Sequence, residues 1–172
     1  MKRVLSYAGI ILLAFLLQNN VFAVCPIIDA TPNLLLILTF SIGFIRGTTE
    51  GMTAGFFCGL LMDFAFGTII GYYALIYLVV GYVTGLIGQM FYIEFLNMPL
   101  LLCVLSDFIY NMYIYTFGFL IRGRTALGAY MTQVILPEVV YTALLTLLVY
   151  PLVLKLNERL SASEKRSAKR FV

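Results

Sequence analysis

The sequence predicts an all-α, polytopic membrane protein: a bundle of six transmembrane helices with the N and C termini cytoplasmic. Three observations carry this. Of the 172 residues, 62% are hydrophobic and only 11% are charged, against roughly 25% charged in an ordinary soluble domain. A soluble fold of this size leaves much of its surface in water and cannot hide so much apolar area; the mean hydropathy is +1.01. The apolar residues fall into six runs with short polar breaks, and Lys and Arg lie mostly on one side of them.

Lys2 and Arg3 lead into the first run, 4–24. The basic start and Val21-Phe22-Ala23 have the form of a signal sequence. More membrane protein follows, so this helix is expected to be retained. Gln18, Asn19 and Asn20 predict a face that hydrogen-bonds to other helices. After a short loop, Thr31-Pro32 reads as a helix start, a hydroxyl cap followed by proline at the first helical position. The run 32–45 spans about 21 Å at 1.5 Å per residue. That is short for a ~30 Å hydrocarbon core, and a re-entrant segment is the alternative. Arg46 can snorkel from its end.

Residues 46–50 read as a tight polar turn, followed by a third span at 51–67. A fourth runs 71–91, a fifth 97–121 and a sixth 130–154, the last interrupted by Pro137, which is expected to kink it. Residues 155–172 form a basic tail. With six spans both termini share a side, which then holds Lys2, Arg3, Arg46, Lys155, Arg159, Lys165, Arg166, Lys169 and Arg170, against Arg122 and Arg124 on the other. Cytoplasmic loops carry the excess of Lys and Arg, so the termini are placed in the cytoplasm. Tyr92, Tyr130 and Tyr150 fit an interfacial belt, whereas Tyr110, Tyr113 and Tyr115 lie deeper and need hydroxyl partners.

Two patterns point to sites. Glycine falls at 43, 47, 51, 55 and 59, with Asp63 next at the same spacing. Steps of four share a helix face, and a face without side chains admits another backbone. Gly51, Gly55 and Gly59, with Gly81 and Gly85 on the fourth span, are therefore candidates for packing within the chain or for docking a partner. The second pattern is charge inside the membrane, which is costly and marks a functional candidate. Asp63, Asp107 and Glu138 are the carboxylates concerned, with Asn111 one turn from Asp107. No Lys or Arg lies at their depth, so no buried midplane ion pair is expected. They read as a proton or cation path, as a polar core that positions the helices or receives a ligand, or simply as acids bonded to nearby Asn, Tyr and Thr groups. Arg46, Lys165, Arg166, Lys169 and Arg170 are candidates for a cytoplasmic contact with anionic lipid or a partner.

The same residues exclude several classes. There is no His, which removes His-based relays, His metal ligands and Ser-His-Asp chemistry. Cys25, Cys58 and Cys103 have no metal or disulfide spacing, and the latter two read as small buried residues. No piece outside the spans is long enough for a soluble domain. No cofactor, metal, nucleic-acid partner or enzymatic site is expected.

One ordered set of short stretches runs through residues 10–155: Leu17-Gln18, Thr31-Pro32-Asn33-Leu34-Leu35, Arg46-Gly47, Gly55-Phe56, Gly59-Leu60-Leu61-Met62-Asp63, Gly67 and Gly71. Ala74, Tyr77, Gly81-Tyr82, Gly85, Pro137-Glu138 and Tyr150-Pro151 continue it. In order and spacing this set resembles the MreD family of rod shape-determining proteins, while the link Gln89–Glu94 departs from the family pattern in carrying no basic residue. The resemblance implies a multi-pass cell-membrane protein, not an enzyme, that binds MreC. It also implies an assembly with a RodA-type glycosyltransferase, a class B penicillin-binding protein and MreB that builds lateral peptidoglycan. It further implies the architecture of the S components of energy-coupling-factor transporters. The alternative function is therefore a substrate-binding S component of such a vitamin transporter. That reading needs a concave outward pocket near Asp63, Asp107 and Asn111.

Overall fold

The computed structural model describes residues 2–22, 31–67, 69–91, 97–120 and 127–168. Every regular element among them is helical. The first helix, α1, covers Lys2–Leu16 and continues as a π-helical stretch, Leu17–Phe22. Helices α2 (Leu34–Arg46), α3 (Thr48–Phe66) and α4 (Tyr72–Gly88) follow. Helix α5 is Asn97–Ile114 with a π-helical end, Tyr115–Leu120. Helix α6 is one rod in three stretches: α-helical Leu127–Tyr130, π-helical Met131–Ile135 and α-helical Leu136–Ala168.

The shortest complete helix is the central one. α2 is apolar on all sides, the pattern of a helix with no face to water, and it touches all five other helices. Every residue from Leu34 to Phe44 is buried, with Leu35, Leu36, Ile37, Thr39, Phe40 and Ser41 fully so. Its 13 residues, about 20 Å, need not match a bilayer because its flanks meet protein. Its start is two residues later than Thr31-Pro32 suggests. Asn33 is the cap: its side chain accepts from the Leu36 N–H at 3.1 Å. Gln18 Oε1, reaching over from α1, accepts from the Leu35 N–H at 3.2 Å. The first-turn N–H groups, which a helix cannot satisfy itself, are thus served by two amides. Of the polar trio in α1, Gln18 is buried, whereas Asn20 is exposed and bonds back to the Leu16 carbonyl.

The turn expected over 46–50 reduces to one residue. Gly47, at φ 93°, separates α2 from α3. Arg46 and Glu50 bridge it with a two-pronged ion pair, Nε to Oε2 at 2.8 Å and a second guanidinium nitrogen to Oε1 at 2.5 Å. Pro137 does not break α6. Proline supplies no N–H to the preceding turn, and the helix widens just before it, the Leu136 N–H bonding five residues back to the Met131 carbonyl. The rod also passes residue 154 without interruption and runs through Pro151 to Ala168. The tyrosine belt is corrected at one point: Tyr150 is 1% exposed and packs edge-on to Phe44 at 6.4 Å, because the helix continues past it. Tyr110 and Tyr115 are buried, and the Tyr113 hydroxyl donates to the Tyr72 carbonyl at 3.3 Å. Cys58 and Cys103 are fully buried.

The outer surface is apolar. Phe64 is 73% exposed, Leu148 66% and Leu75 57%, an inside-out distribution for a protein in water. The stretches Met98–Gly118 and Gly128–Ala162 are long and apolar enough to cross a membrane.

Burial sets an expectation for paired substitutions. Phe40→Ala, at the centre of α2, should cost about 3–5 kcal/mol. Phe57→Ala, on the outer face of α3, should stay within about 0.5 kcal/mol. Thermal unfolding of the purified protein in detergent checks the ranking.

Candidate functional site

The glycine ladder folds into a seam among α2, α3 and α4. At Gly51 a side chain would meet the Gly81 carbonyl and the Gly43 Cα. At Gly55 it would meet the Tyr77 carbonyl, and at Gly59 the Ala74 backbone. At Gly81 it would meet Gly51, and at Gly85 the Thr48 backbone at 2.5 Å. These pairings step one turn along α3 as they step one turn back along α4, so the two helices are antiparallel with their backbones in contact. Gly43 brings α2 into the same seam against Thr84 and Gly81. All five glycines singled out in the sequence therefore meet the chain's own backbone.

Asp63, the next position on the ladder, ends the seam. It is 2% exposed. Its Oδ2 accepts from the Gly71 N–H at 2.9 Å and the Ala74 N–H at 3.0 Å, and its Oδ1 from the Tyr73 N–H at 2.8 Å. Gly71, at φ 102°, turns the chain into α4. A carboxylate on one helix thus caps the next, where orphan N–H groups and the helix dipole both favour negative charge. Asp63 is distant in role from the other two acids.

Asp107, Asn111 and Glu138 are brought together between α5 and α6. Cys103 Sγ lies 2.9 Å from Thr146 Oγ1. One turn on from Cys103 is Asp107; one turn back from Thr146 is Thr142, which stands beside Asp107. A further turn places Asn111 against Glu138. The result is a ladder of three polar rungs across antiparallel helices. Thr142 Oγ1 also accepts from the Asn33 N–H at 3.2 Å, and Asn33 Oδ1 accepts from the Tyr77 hydroxyl at 2.7 Å. The ladder thereby joins the α2 cap and α4. Asp107, Asn111 and Thr142 are no more than 1% exposed, and Glu138 is half-buried. The sequence pointed to these acids through their depth. It missed Asn33 and Tyr77 as partners, although the i, i+4 spacing of Cys103, Asp107 and Asn111 against Glu138, Thr142 and Thr146 was a readable signal.

Arg46 is engaged by Glu50. Lys165 and Arg166 lie on the helical extension of α6. Lys169, Arg170, Arg122, Arg124, Cys25 and Tyr92 lie outside the described residues. No group of three His, Cys, Asp or Glu side chains that would hold a metal occurs among the described residues.

One comparison bears on identity: the family model for MreD, the rod shape-determining protein, matches residues 1–160. The chain belongs to the MreD family. No curated relative and no solved structure matches it. MreD membership associates the chain with rod-shape determination, in a family of structural rather than enzymatic proteins of the cell-envelope membrane.

The seam gives a sharp mutational expectation. Gly55→Leu and Gly81→Leu force side chains into backbone and should cost more than ~3 kcal/mol. Gly9→Leu, where nothing lies within 4 Å of the new Cβ, should be silent. Asp63→Ala strands three N–H groups and should cost roughly 3 kcal/mol or more, Asp63→Asn less. Yield and monodispersity on size exclusion, with melting midpoints, check all five.

Proposed function

We propose that this MreD-family chain is a non-enzymatic scaffold of the rod-shape machinery, a six-span bundle with both termini in the cytoplasm that docks MreC. A RodA-type glycosyltransferase, a class B penicillin-binding protein and MreB are the further partners of the reading, and peptidoglycan elongation is the process it serves. The family match is the observation that carries it.

Two features of the structure support the scaffold reading. The interior is taken up by the chain's own packing, since α2 fills the centre and the glycine faces meet backbone. Contacts with partners then fall to outer faces, which carry large exposed side chains such as Phe57, Phe64 and Leu148. A substrate-binding transport component would need a concave site between the helices, and α2 stands there.

The orientation is supported by how the ends pair. The Tyr7 hydroxyl donates to Asn157 Oδ1 at 3.2 Å, so the start of α1 lies beside the basic extension of α6. Phe44 packs on Tyr150, which puts Arg46 and Lys155 at that same end. Clustering of basic residues at one end is what the positive-inside rule expects of a cytoplasmic face. The extension itself, Lys155 to Ala168, projects about 21 Å along the helix axis, and its basic residues suit anionic lipid or an acidic partner.

Affinity purification of the tagged full-length chain from its own membranes should recover MreC in detergent. A monodisperse preparation without MreC would remove the docking claim. Phe57→Ala, which leaves the core untouched, then reports whether the α3 face contributes.

A further inference from the structure

The outer face of α6 changes character along its length without changing direction. At about 100° per residue, Leu144, Leu148, Leu152, Lys155 and Arg159 fall within about 80° of one another around the helix. All five are exposed. The opposite face is the held one. Thr142, Thr146, Tyr150 and Val153 are buried in the bundle, and Asn157 accepts from the Tyr7 hydroxyl of α1. Lys155 and Arg159 have no ion-pair or hydrogen-bond partner among the described residues, and the exposed Glu158 between them pairs with neither. Their one-turn spacing, about 6 Å, lets both side chains reach a single phosphate.

Depth separates these two cations from those further along. The apolar run ends at Leu154, and the headgroup layer outside the hydrocarbon is about 5–8 Å thick in each leaflet. Measured along the axis from Lys155, Arg159 stands about 6 Å out, inside that layer. Lys165 and Arg166 stand about 15–17 Å out on the same unbroken helix, beyond the layer by about a Debye length. The basic residues that the sequence singles out near the C terminus therefore stand off the headgroups, whereas Lys155 and Arg159, which it does not, lie among them. An acidic protein segment would match the two cations but not the exposed leucines beneath them. A phospholipid matches both, with an acyl chain followed by a phosphate along one line.

We propose that the outer face of α6 holds an anionic phospholipid, its phosphate between Lys155 and Arg159 and an acyl chain along Leu152 and Leu148. The aligned junction of apolar and basic side chains, opposite the face held by α1 and the bundle, is the observation that carries it. The site rests on the chain's spanning a membrane and not on MreC docking, since protein purified without partners suffices to test it. The lipid would pin α6 at the membrane surface and leave the rest of its extension free for contacts in solution.

The test is thermal unfolding of the purified full-length protein in uncharged detergent, with added dioleoylphosphatidylglycerol or dioleoylphosphatidylcholine. Phosphatidylglycerol should raise the midpoint in a saturable manner, by roughly 5–10 °C at a hundredfold excess over its dissociation constant, and phosphatidylcholine should not. The double variant Lys155→Gln, Arg159→Gln should melt like the parent without lipid and lose about tenfold or more in apparent affinity for phosphatidylglycerol. Replacing Lys165, Arg166, Lys169 and Arg170 together by Gln should change that affinity by no more than about twofold. Should the double variant not fold, Arg159→Gln alone carries the test. Equal stabilisation by the two lipids overturns the proposal, as does an affinity lost in the fourfold variant and kept in the double one. Equal protection by inorganic phosphate also overturns it, assigning the cations to phosphate without a chain. Protection by poly-L-glutamate but not by phosphatidylglycerol overturns it in favour of an acidic protein.

Discussion

The contact between the backbones of α3 and α4 is the constraint on which the rest of the bundle depends. Lipid tails are as apolar as Leu, so apolar burial gives little reason for one helix to prefer another in a membrane. Close approach supplies the reason. With no side chain at Gly51, Gly55, Gly59, Gly81 or Gly85, main-chain atoms of the two helices meet directly, and dispersion contacts that are individually small accumulate along the seam. The same approach brings Asp63 within hydrogen-bond distance of the first turn of α4. It also leaves a narrow cleft into which α2 fits through Gly43, against Gly81 and Thr84. Widening the seam by one methyl group would strain all three arrangements together.

The centrality of α2 follows from this. A helix surrounded by five others has no lipid-facing side and no need of a bilayer's length, so 13 residues suffice. Its N-terminus then ends inside protein, where unsatisfied N–H groups are expensive. Asn33 and Gln18 meet that requirement, and Asn33 in turn binds Tyr77 and Thr142. One asparagine therefore links the cap of the central helix to both the glycine-seamed half and the α5–α6 half.

The sequence made some of this readable and hid the rest for physical reasons. Helix number and approximate positions follow from apolar run lengths. The four-residue glycine step is a helix-face signal and marks a small-residue surface. It does not say whose backbone fills that surface, because Gly51 is equally bare toward Gly81 or toward another chain. Thr31-Pro32 carried the stronger local start signal, yet Asn33 caps α2, since its side chain has two tertiary uses that local propensity cannot weigh. Hydropathy ends the last helix at residue 154, but helix formation does not stop where hydropathy does: Leu156, Leu160 and the Ala and Ser residues beyond have no breaker among them. The π-helical stretches carry no comparable pattern. Only Pro137, with its missing N–H, gives one of them a cause.

The two halves of the bundle are held in physically different ways. Glycine contacts are short-ranged and nearly uniform along a seam, so they fix distance better than register. Polar rungs are directional, and in a low-dielectric interior a misplaced donor or acid is costly. The α5–α6 ladder therefore fixes register: a one-turn slip would set Asp107 against Thr146 or Glu138 and remove Thr142 from Asn33. Distance is thus fixed on one side and register on the other by the chain's own contacts. A bundle whose interior is taken up in this way leaves its outer faces for contact with other proteins, which is the physical support for the proposed scaffold role.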